Sequence, residues 1–259
     1  MRWWVLLGAE VRVGLLTVFW AQMLGYLGNA FLPARAGELV RSAALARRLG
    51  GEGYKGALVL ATALTERILD AVALVLAGTV AAACTAEMPE PLRAGGRWLA
   101  LAGVGALAAL TFVPRLEPWL QRGLAVLPLP EHWRCRLRGT VEQFLLGMRA
   151  FQRPPRALGF GGLTVAIWLT DALGAAVIAR ALGLSLGLLQ ALLLLAALGL
   201  ASALPSMPGY VGVYPVVAVA LLPTCGFSRS EALAYVLVMQ ALNYAVVSVY
   251  GLWGMWQLR

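Results

Sequence analysis

At 259 residues, 61% of them hydrophobic and 13% charged, with a mean hydropathy of +0.78, the chain lies outside the range of soluble domains. The net charge of +9 rests almost wholly on arginine, Lys55 being the only lysine; this suits loops that meet anionic phosphate at a bilayer surface, and a basic nucleic-acid binder would not be this apolar. One bundle of about six to eight spans of roughly 20 residues accounts for the length, so the function is expected inside the bundle.

In chain order, the opening MRWWVLLGAEVR has too short an apolar run before Glu10 for a signal peptide or a full span. Uninterrupted apolar runs then predict spans near 13–32, 57–83, 98–113, 158–181, 186–204, 209–223 and 232–256. The runs at 98–113 and 209–223 are short for a hydrocarbon core of about 30 Å and fit tilted, partly buried or re-entrant segments as well as full crossings. The fold class is therefore an all-α polytopic membrane protein of about seven transmembrane or re-entrant helices, a single domain over 1–259. Residues 114–157 form the long polar connection, with eight arginines against three glutamates. By the positive-inside rule this basic loop is cytoplasmic, the loop at 33–56 falls on the same side, and parity leaves Arg259 there too. Within the loop, VEQFLLGMRAF fits either an interfacial helix or a solvated one.

The second span carries TERILD at 65–70. Counting about 1.5 Å per residue from Ala57, Glu66 sits roughly 13 Å deep and Asp70 roughly 20 Å. They share a helix face at i, i+4, with Arg67 in reach of Asp70 at i+3. Each such charge costs about 2.5–3.5 kcal/mol in a bilayer, so all three are expected to face the bundle interior. Two readings follow: a polar path that meets a charged substrate, or a buried ion-pair cluster that fixes helix packing. Asp171, within TVAIWLTDALGAA, is a further intramembrane acid with Arg67 or Arg180 as the expected partner.

The chain also echoes itself. NAFLPARAGELVR at 29–41 and SALPSMPGYVGVY at 202–214 each end an apolar run with a polar residue, an LP dipeptide and then glycine. Pro33 precedes Glu66 by 33 residues; Pro208 precedes Gln240 by 32, with Asn243 one turn further. Broken segments in corresponding positions point to two duplicated halves whose interrupted helices, at Pro33, Gly37, Pro205, Pro208, Gly209 and Gly212, turn backbone dipoles toward a central ligand. A plain count of spans makes the halves parallel; an inverted relation requires a re-entrant segment.

GYLGNAFLPARAGELVRSAAL, ATALTERILDAVALV and ALPSMPGYVGVYPVVAVALLPTCGFSRSEALAYVL resemble the lysylphosphatidylglycerol synthase transmembrane region, a flippase-like family of bacterial and archaeal inner-membrane proteins. The resemblance runs from about residue 3 to 256 and rests on Asn29, Pro33, Arg35, Gly37, Glu38, Arg41, Glu66, Arg67 and Asp70. Two positions depart from the family pattern: Pro215 stands where a glutamate is frequent and Gln240 where an arginine is. The family has one or two helices before RWWVLL, so the resemblance implies missing N-terminal helices. It further implies lipid handling at a cell inner membrane, without the soluble domain that makes the modified lipid.

No GxxxxGK[ST] loop, Ser/His/Asp set or metal-ligand cluster stands in the sequence. Cys84, Cys135 and Cys225 lie far apart, and His132 falls in the basic loop. No catalysis, cofactor or metal is expected. Arg35, Glu38 and Arg41 are the expected lipid-headgroup residues, at a helix start beside the Pro33 break. Asn29, Glu66, Arg67, Asp70, Gln240 and Asn243 are expected to line the polar path. The ligand class is a membrane phospholipid or a polyprenyl-phosphate-type lipid, with a membrane enzyme or a second copy as further partner and no nucleic acid. Two competing functions remain: a non-transporting scaffold or accessory subunit of a lipid-modifying or glycosyl-transfer enzyme, with its charges on a surface seam, and a lipid transferase with Glu66 or Asp70 as general base.

Overall fold

In the computed structural model, described for residues 1–8, 11–33, 36–50, 54–84, 101, 103–105, 108, 112, 117–126, 130–149, 154–202 and 207–258, every regular element is helical. The helices are α1 (Arg2–Leu7), α2 (Leu15–Phe31), α3 (Gly37–Arg48), α4 (Tyr54–Cys84), α5 (Glu117–Val126), α6 (Glu131–Arg149), α7 (Pro154–Ala181), α8 (Leu188–Ala201), α9 (Val213–Leu221) and α10 (Arg229–Gln257). Single 3₁₀ turns at Pro208–Tyr210 and Leu222–Cys225 flank α9. The sequence supplies a start signal for the last long helix. Ser228 caps α10, accepting a hydrogen bond from the Glu231 amide while the Glu231 carboxylate accepts one from the Ser228 amide.

Among the described residues, four segments are long and apolar enough to cross a membrane: Leu58–Cys84, Pro155–Ala181, Pro208–Cys225 and Arg229–Gln257. Of the seven expected spans, 98–113 falls largely outside the described residues. Two others are short: α2 has 17 residues and α8 has 14, below the roughly 20 that a crossing needs. The 209–223 run is interrupted, with left-handed backbone at Gly209 (φ 68°) and a further positive φ at Gly212 (88°). The outward faces of α7 and α10 carry exposed Val165, Leu173, Val177, Val246, Val249, Leu252, Trp253 and Trp256. Apolar side chains turned outward along whole helices fit a hydrocarbon solvent.

Close approaches fix the helix directions. Gly25 lies against Arg41 and Gly28 against Gly37, so α3 runs back along α2 as a hairpin. Arg41 meets Glu66, and Leu45 packs with Val59 and Ala63, so α4 is antiparallel to α3. Leu27 lies against Gly251 and Trp20 against Gly254, making α10 antiparallel to α2. Gly78 touches Ala196 and Gly199 touches Leu74, making α8 antiparallel to α4. Leu192 and Leu221 pack against the same cluster of Ala81, Ala82 and Leu193, so α9 turns back along α8 as a second hairpin.

Both halves therefore have the same order: helix, break, short returning helix, long helix. The helices of one half run opposite to their counterparts in the other. Of the two relations open in the sequence, the inverted one is found, because α2–α3 and α8–α9 each return to the end from which they entered. The Arg48 guanidinium donates to the Leu258 and Gln257 carbonyls at 3.1 and 2.7 Å, and Arg156 donates to the Gly8 carbonyl at 3.3 Å. The turn after α3, the end of α10 and the start of α7 thus gather at one end of the bundle.

Candidate functional site

Each charge of TERILD is met by a residue from another segment. On α4, Glu66 accepts from Arg41 of α3 at 2.8 Å, and Arg41 also pairs with Glu38 one turn earlier at 2.7 Å. Glu38 holds Arg67 through both its Nη2 (2.5 Å) and its Nε (2.6 Å). Arg67 reaches Asp70 at 3.6 Å, as its i+3 spacing predicts, and Asp70 takes Arg2 of α1 at 2.7 Å. The result is an alternating chain, Glu66–Arg41–Glu38–Arg67–Asp70–Arg2, of three acids and three arginines across three helices. Alternation offsets the desolvation that any one of these charges would suffer alone.

The two ends of the chain have different surroundings. Arg41 is 1% exposed, lies 4.6 Å from the Trp3 ring, and also bonds to the Gln22 side chain and the Ala63 carbonyl. Trp3 in turn donates its indole N–H to Thr62 at 3.1 Å, tying α1 to α4. Arg2 reaches across to α7, 3.5 Å from the Thr164 hydroxyl and 5.8 Å from the Phe160 ring. The Arg2 end opens onto a cavity of about 790 Å³, within the size range of small-ligand sites. Its wall carries Arg2, Glu38, Arg67, Asp70 and Asp171, the amides Asn29, Gln240 and Asn243, and the rings of Tyr26, Trp168, Tyr210, Tyr214 and Tyr244.

The two hairpin tips close this cavity. Gly209, at the second tip, sits where an added Cβ would lie 3.0 Å from the Ala30 carbonyl of the first tip and would collide with the Tyr244 hydroxyl. Its carbonyl accepts from Gln240 at 3.2 Å and from Tyr244. With φ at 68° and no room for a side chain, Gly209→Ala is expected to cost about 1–3 kcal/mol, measured as the shift in denaturation midpoint in detergent.

The structure therefore brings Asn29, Glu38, Arg67, Asp70, Gly209, Gln240 and Asn243 together on one wall. Two expected site residues stand apart from it. Arg41, expected at a lipid headgroup, is enclosed by Glu38, Glu66 and Trp3. Glu66, expected on the polar path, turns toward Arg41. The physical reason is height along the helix: Glu66 shares its face with Asp70 but lies a turn below it, at the level where α3 covers α4. Pro33, Gly37, Pro208 and Gly212 shape the hairpin tips without lining the cavity, while Arg35 and Pro205 fall outside the described residues. Asp171 makes no ion pair with Arg67 or Arg180; Arg67 is held by Glu38 and Asp70.

The sequence reading missed Arg2 and the aromatic wall. Arg2 belongs to a run dismissed as too short for a span, and its signal is a lone cation entering an otherwise apolar helix. Tyr244 follows Gln240 by one turn, so the polar stripe of α10 was wider than the two amides singled out.

The chain that carries this site matches a known family. The model of the lysylphosphatidylglycerol synthase TM region matches residues 1–251. The chain belongs to this family. Comparison with curated proteins and with solved structures gives no match. As a member of the lysylphosphatidylglycerol synthase TM region family built from apolar helices, it is an integral, multi-pass membrane protein.

Proposed function

We propose that this protein binds the headgroup of a phosphate-bearing lipid in the cavity between its two hairpin tips and moves the lipid between leaflets of a cell inner membrane. The observation that carries the reading is a half-open cavity inside an apolar bundle, with two guanidiniums on a largely apolar wall. Arg67 and Arg2 offer charge-assisted donors to a phosphate, and Glu38 and Asp70 hold those donors in place until it arrives. The opposed hairpins support movement as well as binding, since inverted halves meeting at a central site provide two equivalent ways out. The scaffold alternative expects its charges on a surface seam, and the convergence on a cavity favours the lipid carrier. The gathered end that holds Arg48, Arg156 and the end of α10 is proposed to be cytoplasmic, following the basic connection at 114–157.

Arg67→Gln tests the headgroup role without emptying the charge chain. Glu38 keeps Arg41, and Asp70 keeps Arg2, so folding is expected to survive. Loss of one charged donor to the phosphate is worth about 1.5–3 kcal/mol, or roughly ten- to a hundredfold in lipid affinity. The measurement is leaflet exchange of a fluorescent phospholipid in proteoliposomes, beside thermal stability of the same preparation. Normal exchange by a stable Arg67→Gln protein would remove the phosphate role.

A further inference from the structure

Counting the charges on the cavity wall leaves a remainder. Arg2 and Arg67 face Glu38, Asp70 and Asp171, two guanidiniums against three carboxylates. Both guanidiniums are engaged, Arg67 with Glu38 and Asp70, Arg2 with Asp70, while Asp171 has no ion-pair partner among the described residues. Asp171 nevertheless lines the same cavity as Arg2 and Asp70. It shares a face of α7 with Thr164, which Arg2 approaches, and stands about 15 Å from the helix's C-terminal end, far from both mouths of a membrane span. Asp171 is exposed to the cavity, and an unpaired carboxylate at that depth is disfavoured by the hydrocarbon around it, a cost that a proton removes.

The proposed ligand sharpens the imbalance. A phosphodiester entering this wall adds a fourth negative charge opposite two positive ones. We infer that Asp171 is a proton-binding site linked to headgroup binding: a proton from water adds to the Asp171 carboxylate as the lipid phosphate arrives, so the cavity gains no net charge. Linkage is reciprocal, and proton uptake then tightens lipid binding by the same factor as lipid binding tightens proton uptake. The other groups facing Asp171 are Arg2 on α1, Glu38 on α3, Arg67 and Asp70 on α4, and the phenols of Tyr26, Tyr210, Tyr214 and Tyr244. Of the carboxylates and guanidiniums among them, Arg2, Glu38, Arg67 and Asp70 are all ion-paired. This inference rests on the headgroup reading above.

The test titrates dihexanoyl phosphatidylglycerol, whose phosphodiester stays singly charged, onto the full chain in detergent between about pH 5 and 8. Calorimetry in two buffers of different ionisation enthalpy counts the protons taken up. The wild type is expected to bind up to tenfold more tightly for each pH unit lowered, with one proton taken up per lipid. Asp171→Asn is expected to bind without pH dependence at the wild type's low-pH affinity, which also shows that it is folded, and Asp171→Glu is expected to restore the slope. PH-independent binding by the wild type, or an unchanged slope in Asp171→Asn, overturns the proton linkage while the headgroup reading stands. An absence of binding at every pH overturns the headgroup reading and the linkage with it.

Discussion

Replacing Arg41 by glutamine is expected to destabilise the folded protein by about 3–5 kcal/mol, the range for breaking a buried ion pair. Among the described residues Arg41 is the sole ion-pair partner of Glu66, and both are buried. Its loss strands Glu66 and leaves Glu38 to Arg67 alone. Unfolding midpoints in detergent measure the effect. The double change Arg41→Gln with Glu66→Gln is expected to recover a large part of the stability, since it removes the stranded charge along with its partner. Glu66→Gln alone leaves Arg41 paired with Glu38, so a smaller loss is expected, and lipid exchange per folded molecule should persist because Glu66 is absent from the cavity wall. An Arg41→Gln protein within about 1 kcal/mol of the wild type would show that the charge chain contributes little to the fold.

The second large effect is steric. A Cβ added to Gly37 would collide with the Gly25 carbonyl and come within 2.5 Å of the Asn29 amide nitrogen and 2.6 Å of the Asn29 side-chain oxygen. Two of these are backbone atoms, which cannot swing aside as a flexible side chain can. Gly37→Ala is expected to cost about 1–3 kcal/mol or more through overpacking. It also pushes α3 off α2 at the tip that presents Asn29 and Glu38 to the cavity, so weaker lipid binding is expected alongside. Gly161→Ala, in the third turn of α7 with nothing within 4 Å of the added Cβ, is the control. It is expected to be neutral or to stabilise by about 0.5–1 kcal/mol, as alanine does in a helix. Equal losses at Gly37 and Gly161 would argue that the α2–α3 contact is looser than it looks.

Much of this protein was legible without coordinates. Membrane residence follows from composition, since nothing but lipid tolerates so apolar a surface. The two LP breaks were visible as an internal echo because proline and glycine interrupt a helix by local sterics alone, whatever surrounds them. The i, i+3 pairing of Arg67 with Asp70 was legible for a similar reason, because helical spacing sets that distance before any tertiary contact forms.

What the tertiary structure decided is which partner each charge takes and which charges face the cavity. Glu66 and Asp70 share a helix face in the sequence, yet one is sealed under α3 by Arg41 and the other meets Arg2 at the cavity. No spacing rule connects residues 2 and 70, because that contact depends on how α1 settles between α4 and α7. The direction of the repeat was likewise undecided. Pro33 and Pro208 mark where helices break, but a break leads to a crossing or a return depending on the packing of the short helix that follows. The close fit of Gly25, Gly28 and Gly37 supplies the return in the first half, through contacts between atoms that local sequence rules do not bring together.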